Sequence, residues 1–180
     1  MKFRADRQTI LEPLQAVIGV VERKQTMPIL SNMLLSVKDG DLSITATDLE
    51  VELIARTKVE DAVDGELTIP GRKFHDICRA LPDGTSIEFS QAAERATVKA
   101  GRSRFTLSTL KAADFPTVEN IAEEQQLQVS AKDLQRLINK THFSMAQHDV
   151  RYYLNGLLFE TERDDDQIEP AFFGKFGKAL

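Results

Sequence analysis

The side chains that could act as nucleophiles, bases or metal ligands are few in this sequence and do not form a motif. The three histidines, His75, His142 and His148, are scattered, with no His-x-x-x-His pair and no carboxylate cluster at metal-ligand spacing near them. No Gly-x-Gly-x-x-Gly follows a strand pattern, and 174–178 lacks the upstream glycine and the following Ser or Thr of a phosphate-binding loop. We therefore expect no metal and no cofactor.

Two remaining candidates for catalysis also favour structural roles. The single cysteine, Cys78, falls on the apolar arc of a predicted helix, which is typical of a buried structural thiol. Asp48 and Glu50 form a close acidic pair, but adjacent carboxylates in a turn are usually solvated. No nucleophile, base and orienting group come together in the sequence, so we expect a protein that is not an enzyme.

Basic residues, in contrast, recur at helical spacing. Lys and Arg on a helix face attract phosphates at any sequence without reading bases, which would suit non-specific binding of DNA. A merely solvated basic face is the alternative that composition leaves open. The candidates are Lys132, Arg136 and Lys140 at i, i+4 and i+8, Arg72 and Arg79 on a second helix, and Arg23 and Lys24 after a first.

Composition limits where such a role could reside. The 180 residues are 42% hydrophobic and 28% charged, which is ordinary for a globular protein. The net charge of −5 means that nucleic-acid binding would need a local basic patch. The longest apolar run, 16–21, is far shorter than the ~20 residues of a membrane span, and the amino terminus lacks the apolar region of a secretory signal. We expect a cytoplasmic protein.

Hydrophobic periodicity predicts three amphipathic helices, at about 8–24, 71–81 and 131–145. Pro13 indicates that the first helix begins only about one turn before this residue, because proline is tolerated in the first turn of a helix. Asp39-Gly40 between two alternating runs is typical of a hairpin. The fold class is therefore α+β, with antiparallel sheets. The predicted strands are 33–37, 42–47, 51–59, 66–69, 86–89, 96–100 and 104–110.

An internal repeat relates the two ends of the chain. The segments 112–116 and 119–126 interrupt the pattern as a linker would, so we place a module boundary near residue 120. Each copy reads helix, polar loop, strand. The matched positions are Leu11 with Leu134 and Leu14 with Leu137, at an offset of 123, and 28–35 with 152–159, at 124.

The second copy is expected to be incomplete. A module of about 120 residues that starts near 124 would have only the 57 positions 124–180. The strand residues Thr45–Asp48 should recur near 169–172, where the chain has Glu-Pro-Ala-Phe instead. We expect a first module at 1–118, a linker at 119–128, the start of a second module at 129–163 and a divergent, disordered tail at 164–180.

Seven ordered blocks carry a resemblance to a known family. They are Met1-Lys2-Phe3, 26–32, 45–50, Arg72-Lys73-Phe74, 101–105, 113–116 and 149–156. Together they resemble the bacterial β sliding clamp, the β subunit of replicative DNA polymerase III, over roughly residues 1–163. The resemblance implies the DNA-clamp fold, with three similar modules per subunit, each of two helices against antiparallel sheets. Two subunits would close head to tail into a ring around duplex DNA.

The resemblance also assigns residues. It implies DNA contacts for Lys24 with Arg23 beside it, for His148 and for the pair Tyr152 and Tyr153, although packing at the start of a strand is the alternative for the tyrosines. Leu154 is the one position that matches the lining of the family's cleft for polymerase and clamp-loader peptides. The first module's side of the subunit junction corresponds to Lys73, Ile77, Arg102, Arg104, Phe105 and Leu107.

The sequence thus predicts a DNA sliding clamp, a processivity factor of the DNA polymerase III holoenzyme that does no chemistry itself. Its expected partners are double-stranded DNA, a second subunit, the polymerase and the clamp loader, with no membrane. The chain lacks counterparts of a third module, so we expect it not to close the ring. The alternative is a small metal-free hydrolase of similar helix and sheet pattern, for which Asp48, Glu50 and a histidine would have to share a pocket.

Overall fold

A computed structural model describes residues 1–21, 27–117, 128–147 and 149–159. The chain divides into two compact units, Met1–Asn120 and Ile121–Leu180. His148, Arg23 and Lys24 lie outside the described residues, as does all of the chain beyond 159. No helix in the described segments is long and apolar enough to cross a membrane.

The first unit contains two antiparallel sheets. The five-stranded sheet has the order β5-β1-β7-β8-β9 and the four-stranded sheet the order β4-β3-β2-β6. A single bridge between Thr68 and Leu110 connects their edges. The strands are β1 (Lys2–Asp6), β2 (Asn32–Lys38), β3 (Asp41–Thr47), β4 (Glu52–Lys58), β5 (Glu60–Val63), β6 (Gly65–Pro70), β7 (Ser86–Ala92), β8 (Arg95–Ala100) and β9 (Ser103–Ser108).

All seven predicted strands are present, and two further strands were not predicted. In β1, Phe3 and Ala5 are buried and the charged residues next to them are exposed. This short alternation of apolar and charged residues could have predicted the strand. Every residue of β5 is exposed, and an edge strand without a buried face leaves no period-two pattern. The predicted hairpin forms, with Asp39 at φ 51° and Gly40 at φ 80°, the left-handed geometry that suits an Asp-Gly turn.

Two helices, α1 (Arg7–Val17) and α2 (Gly71–Ala80), pack into the same apolar core as both sheets. Phe89 on the five-stranded sheet stacks on Phe3 at 4.8 Å between ring centroids and meets Phe74 of α2 edge to face at 6.0 Å. Offset and edge-on aromatic contacts of this kind add to the burial energy. The core therefore holds the helices and the sheets together as one unit.

The structure corrects two predictions for α1: that the helix continues to about residue 24, and that Pro13 lies in its first turn. The helix stops at Val17 and a 3-10 turn, Ile18–Val20, follows, after which Val21 is extended. Pro13 lies in the interior of α1, nearly two turns after its start, and is buried on the apolar face. Burial of the ring in the core compensates for the backbone hydrogen bond that proline cannot donate.

Two arginines join the helices at both ends. Arg7, at the start of α1, donates to the carbonyl oxygens of Cys78 (3.0 Å) and Arg79 (3.2 Å) at the end of α2. Arg72, at the start of α2, donates to the carbonyl oxygen of Val21, just past the end of α1. A cation at the last carbonyls of a helix satisfies groups that have no partner within the helix. The two helices are consequently antiparallel and fixed at each end.

The described part of the second unit is built around α3 (Ala131–Thr141). The side chain of Ser130 accepts a hydrogen bond from the backbone N–H of Asp133 (3.1 Å), which caps the amino terminus of α3. The helix ends four residues before the predicted position, 145, because a 3-10 turn, His142–Ser144, replaces its last turn. A second 3-10 turn, Tyr152–Asn155, follows.

The repeat is visible in the structure, and its offset is 124 throughout. The helix 7–17, the 3-10 turn 18–20 and the 3-10 turn 28–31 recur with identical lengths at 131–141, 142–144 and 152–155. The pairing of the helices at 123 was therefore wrong by one residue. At 124, four of the five buried positions of α1 correspond to apolar or half-buried positions of α3: Ile10 to Leu134, Pro13 to Leu137, Leu14 to Ile138 and Val17 to Thr141. The fifth, Leu11, corresponds to Gln135, which is exposed.

Candidate nucleic-acid interface

The basic face of α3 is accessible to a ligand. Lys132, Arg136 and Lys140 are all exposed, on the side opposite the apolar positions. Arg136 has Asp133 at 3.7 Å, one turn earlier. Both side chains of that pair are more than half exposed, and such surface pairs contribute little, so Arg136 remains able to meet a phosphate. The predicted grouping of these three cations on one face is confirmed.

The block 149–155 folds into a closed loop after α3. The carboxylate of Asp149 accepts two hydrogen bonds from the Arg151 guanidinium, at 3.1 and 3.0 Å, and one from its backbone N–H. Asn155 receives the N–H of Asp149 at 3.0 Å and donates to its carbonyl oxygen at 3.1 Å. These hydrogen bonds hold the pKa of the Asp149 carboxyl at about 2. Sequence reasoning cited this block only as a resemblance and missed that Asp149, Arg151 and Asn155 build the loop.

This loop carries the paired tyrosines. Tyr153 has 68% of its surface exposed, so the alternative of core packing does not hold for it. The side chain of Tyr152 lies outside what the structure describes. Leu154 is half-buried, and its carbonyl oxygen accepts a hydrogen bond from Ala146 at 3.0 Å, which closes the base of the loop.

Arg72 and Arg79 were both predicted on the exposed side of α2, and only Arg79 is exposed. Arg79 is exposed and lies 3.3 Å from Asp76, one turn earlier. Arg72 was placed on the exposed side of the helix, but it is half-buried because its guanidinium turns back to the carbonyl of Val21. Its role in this structure is to hold the chain at the point where the segment with Arg23 and Lys24 begins.

The predicted subunit edge coincides with β9, the last strand of its sheet. Arg102 and Arg104 are exposed there, and Lys73 is exposed on α2. The apolar residues of the same set pack against this unit's own core. Leu107 is buried, and Phe105 and Ile77 are partly buried.

Two family models match the sequence. One is the N-terminal domain of the DNA polymerase III beta subunit, over residues 1–119, and the other is the central domain of the same subunit, over residues 128–170. Together they cover most of the chain. This protein belongs to the DNA polymerase III beta subunit family.

Relatives in the beta subunit family are closely similar over part of their length. The beta sliding clamp of Pseudomonas aeruginosa is 54% identical over 161 residues, which make up 89% of this chain and 44% of that protein. The beta sliding clamp of Escherichia coli K12 is 51% identical over 166 residues, which make up 92% of this chain and 45% of that protein. The chain thus spans less than half the length of these relatives.

Solved structures of beta subunits share the fold. A Pseudomonas aeruginosa sliding clamp bound to griselimycin superposes with a TM-score of 0.85 at 54% identity, over 88% of this chain and 43% of that one. The Caulobacter crescentus pol III beta structure gives 0.86 at 40% identity, over 93% and 45%. The predicted DNA-clamp fold, with helices on antiparallel sheets, is confirmed. The domain bounds at 118, 128 and 163 stay predictions, and the central-domain match extends to residue 170.

The hydrolase alternative has no support. The carboxylate of Asp48 accepts the backbone N–H groups of Glu50 (2.9 Å) and Val51 (2.8 Å), so it stabilises its own turn. A cavity of about 100 Å³ is lined by residues such as Arg4 and Lys58, and by no histidine. In the described parts of the chain, no three His, Cys, Asp or Glu side chains are grouped to hold a metal ion. Burial raises the pKa of the Cys78 thiol to about 12, so this thiol is inert.

Proposed function

We propose that this chain is part of a DNA sliding clamp, a non-catalytic processivity factor of the replicative DNA polymerase III. It binds duplex DNA through phosphates, without sequence preference. Membership of the beta subunit family supports this proposal. The described residues contribute the basic face of α3 and the loop 149–155 with its exposed Tyr153. Both are suited to weak contacts with a DNA strand that allow it to slide.

The observation that carries the proposal is a difference between two copies of the same helix. In α1, the three exposed positions that correspond to the cations of α3 are Gln8, Glu12 and Ala16, and Gln8 donates to Glu12 at 2.9 Å. In α3 all three positions are cationic, while Ile10 and Leu14 of α1 keep apolar counterparts in Leu134 and Ile138. A solvated helix face does not require this change, whereas a face that meets phosphates does.

The loop 149–155 adds a second kind of contact. The Asp149–Arg151 pair and Asn155 hold the backbone on either side of Tyr153, so its exposed ring is presented at a fixed place. An aromatic ring can stack on a base or donate its hydroxyl to a phosphate of any sequence. The cations of α3 would supply affinity and Tyr153 a contact that does not depend on salt.

Salt-dependent DNA binding tests the proposal. A fluorescent 30-base-pair duplex would be titrated with the full chain at several salt concentrations, and the triple variant Lys132→Ala, Arg136→Ala, Lys140→Ala compared with wild type. We expect weak binding of unrelated duplexes with equal affinity, and a salt slope that falls by about three in the variant, at roughly 0.9 per phosphate contact.

A matched control separates local contacts from bulk charge. The triple variant Lys73→Ala, Arg102→Ala, Arg104→Ala also removes three exposed positive charges, but from the β9 edge and α2. It should leave the salt slope within about half a unit of wild type. Equal losses in both variants, a sequence preference or binding indifferent to salt would contradict the proposal.

The other family partners are proposals of the same kind. The β9 edge, with Arg102 and Arg104, would form the first module's side of a head-to-tail subunit junction. Leu154 would contribute to the cleft for polymerase and clamp-loader peptides. Such a protein would act in the cytoplasm, where the chromosome of a bacterium is copied.

A further inference from the structure

The exposed face of α1 offers no cation to a phosphate. This surface, which we name the α1 exposed face, consists of Gln8, Glu12, Gln15 and Ala16. Arg7 is the only basic residue of α1, and its guanidinium is occupied by the carbonyl oxygens at the end of α2 and by Asp83. The side chain of Arg7 is only 13% exposed. The α1 exposed face therefore carries a single charge, the carboxylate of Glu12.

Glu12 lies at the middle of the α1 exposed face and is held there. The side-chain amide of Gln8, one turn earlier, donates a hydrogen bond to Glu12 Oε1 at 2.9 Å. Pairs of this kind at i and i+4 stabilise a helix and limit the directions that both side chains adopt. At the offset of 124, Glu12 corresponds to Arg136, the central cation of α3. The same position thus carries opposite charges in the two copies of the repeat.

The packing of α1 keeps Glu12 on the surface. Ile10 and Leu14, on the opposite side of the helix, are each 0% exposed in the core, so any rotation of α1 about its axis would bring them into water. A phosphate that approaches the α1 exposed face consequently meets the carboxylate of Glu12. Repulsion between such exposed like charges acts over about one Debye length, roughly 8 Å in physiological salt.

We propose that Glu12 is a specificity-determining residue, which keeps the phosphates of duplex DNA off the α1 exposed face. The inference rests on the proposed function and deepens it, because it states which copy of the repeated helix does not hold the duplex. Binding without sequence preference grows stronger with each phosphate that a protein neutralises. With Glu12 in place, the phosphate contacts of the repeated helix are restricted to Lys132, Arg136 and Lys140 of α3. So few contacts keep the binding weak, as a sliding duplex requires.

A charge-reversal variant with a matched control tests the inference. Glu12→Lys is compared with Glu66→Lys, which makes the same change at an exposed position of β6 in the four-stranded sheet. The full chain is titrated against the labelled duplex at several salt concentrations. We expect Glu12→Lys to add one phosphate contact, which raises the salt slope by roughly 0.9 and the affinity by about fivefold at about 0.15 M salt. Glu66→Lys should change the slope by less than about 0.3 and the affinity by less than about twofold.

Glu12→Gln separates the loss of repulsion from the gain of a contact. It removes the carboxylate without adding a cation, so we expect the affinity to rise by about twofold and the salt slope to stay within about 0.3 of wild type. Glu, Gln and Lys have nearly equal helix propensities, so neither variant of Glu12 should shift the urea midpoint of the dichroism signal. An unchanged midpoint shows that altered DNA binding does not come from altered folding.

The outcomes distinguish a wrong role for Glu12 from a wrong function. Equal effects of Glu12→Lys and Glu66→Lys, weaker binding by Glu12→Lys, or an affinity that Glu12→Gln leaves unchanged would overturn the inference. If removal of the three α3 cations still lowers the salt slope in that case, the proposed function stands and only the role of Glu12 is wrong. A wild-type chain that binds no duplex, or a slope that does not respond to the α3 cations, would overturn the proposed function and the role of Glu12 with it.

Discussion

Replacing Leu14 and Ile138 by alanine compares the same position in the two copies of the repeat. Leu14 is completely buried between α1 and the sheet, whereas Ile138 is half-buried. Deleting a buried Leu side chain loses its transfer free energy and leaves a cavity, which together cost about 2–5 kcal/mol. We take about 3 kcal/mol for Leu14→Ala, because the well-packed neighbours on β3 and β4 cannot collapse into the space.

Ile138→Ala should cost much less. Part of its surface is in water already, so less transfer free energy is lost and no closed cavity forms, which leaves about 1 kcal/mol. Alanine also has the higher helix propensity, which returns a few tenths of a kcal/mol. The expected difference between the two variants is therefore about 2 kcal/mol, despite their identical places in the repeat.

Urea unfolding can follow the two units separately. Both tyrosines, Tyr152 and Tyr153, lie in the second unit, and the chain has no tryptophan. Tyrosine fluorescence therefore reports the second unit, while far-UV circular dichroism reports mainly the sheets of the first. With a slope of about 2 kcal/mol per molar urea, Leu14→Ala should lower the dichroism midpoint by about 1.5 M and Ile138→Ala the fluorescence midpoint by about 0.5 M. An equal or larger effect of Ile138→Ala would refute the claim that Ile138 is less buried than Leu14.

Three further predictions concern single groups. Because burial raises the pKa of Cys78 from 9.0 to about 12, the native state keeps the thiol proton to higher pH than the unfolded chain does, and the free energy of unfolding should fall as pH rises above about 9. A thiol reagent at pH 8 should therefore react with Cys78 only when the protein unfolds. Fast labelling of the native protein would contradict this. The pKa of the Asp149 carboxyl is lowered from 3.8 to about 2, so NMR should show it titrating near pH 2, with the ion pair to Arg151 intact above about pH 4 and lost as pH falls through 2. The variant Arg151→Gln should return this pKa towards 3.8. An unchanged pKa would show that Arg151 does not cause the shift. The variant Arg7→Met keeps an apolar side chain but removes the hydrogen-bond donors to the last carbonyl oxygens of α2. It should lower the free energy of unfolding by about 2 kcal/mol, measured from the urea midpoint of the dichroism signal. An unchanged midpoint would mean that water replaces the guanidinium at no cost.

Elements with a strong local pattern could be predicted from the sequence. The hairpin at Asp39-Gly40 follows from a pair of residues that tolerate positive φ, and α2 follows from Phe74 and Cys78 at helical spacing. β5 could not be found, since no residue of it is buried and its place depends on pairing with β1. The end of α1 was overestimated because apolar periodicity continues through Val20 and Val21 after the helix has stopped.

The candidate site was predictable in its charges and not in its contacts. Helical spacing placed Arg136 and its two lysine neighbours on one face, since that needs only the 3.6-residue period. The same reasoning placed Arg72 in solvent, because a helical wheel gives the direction of the Cα–Cβ bond and not the path of a long side chain. Whether Arg72 reaches a phosphate or the carbonyl of Val21 is decided by tertiary packing.

The two arginine contacts between α1 and α2 set an order for folding. They join residues 71 and 51 positions apart in sequence, and the whole four-stranded sheet lies between the helices along the chain. Closing loops of that length is entropically unfavourable, whereas strands joined by short turns, such as β2 with β3 and β7 with β8, meet early. The helices can dock antiparallel only after the intervening sheet has shortened the distance between them. In pulsed hydrogen exchange during refolding, the hairpin amides should therefore gain protection before those of α1 and α2.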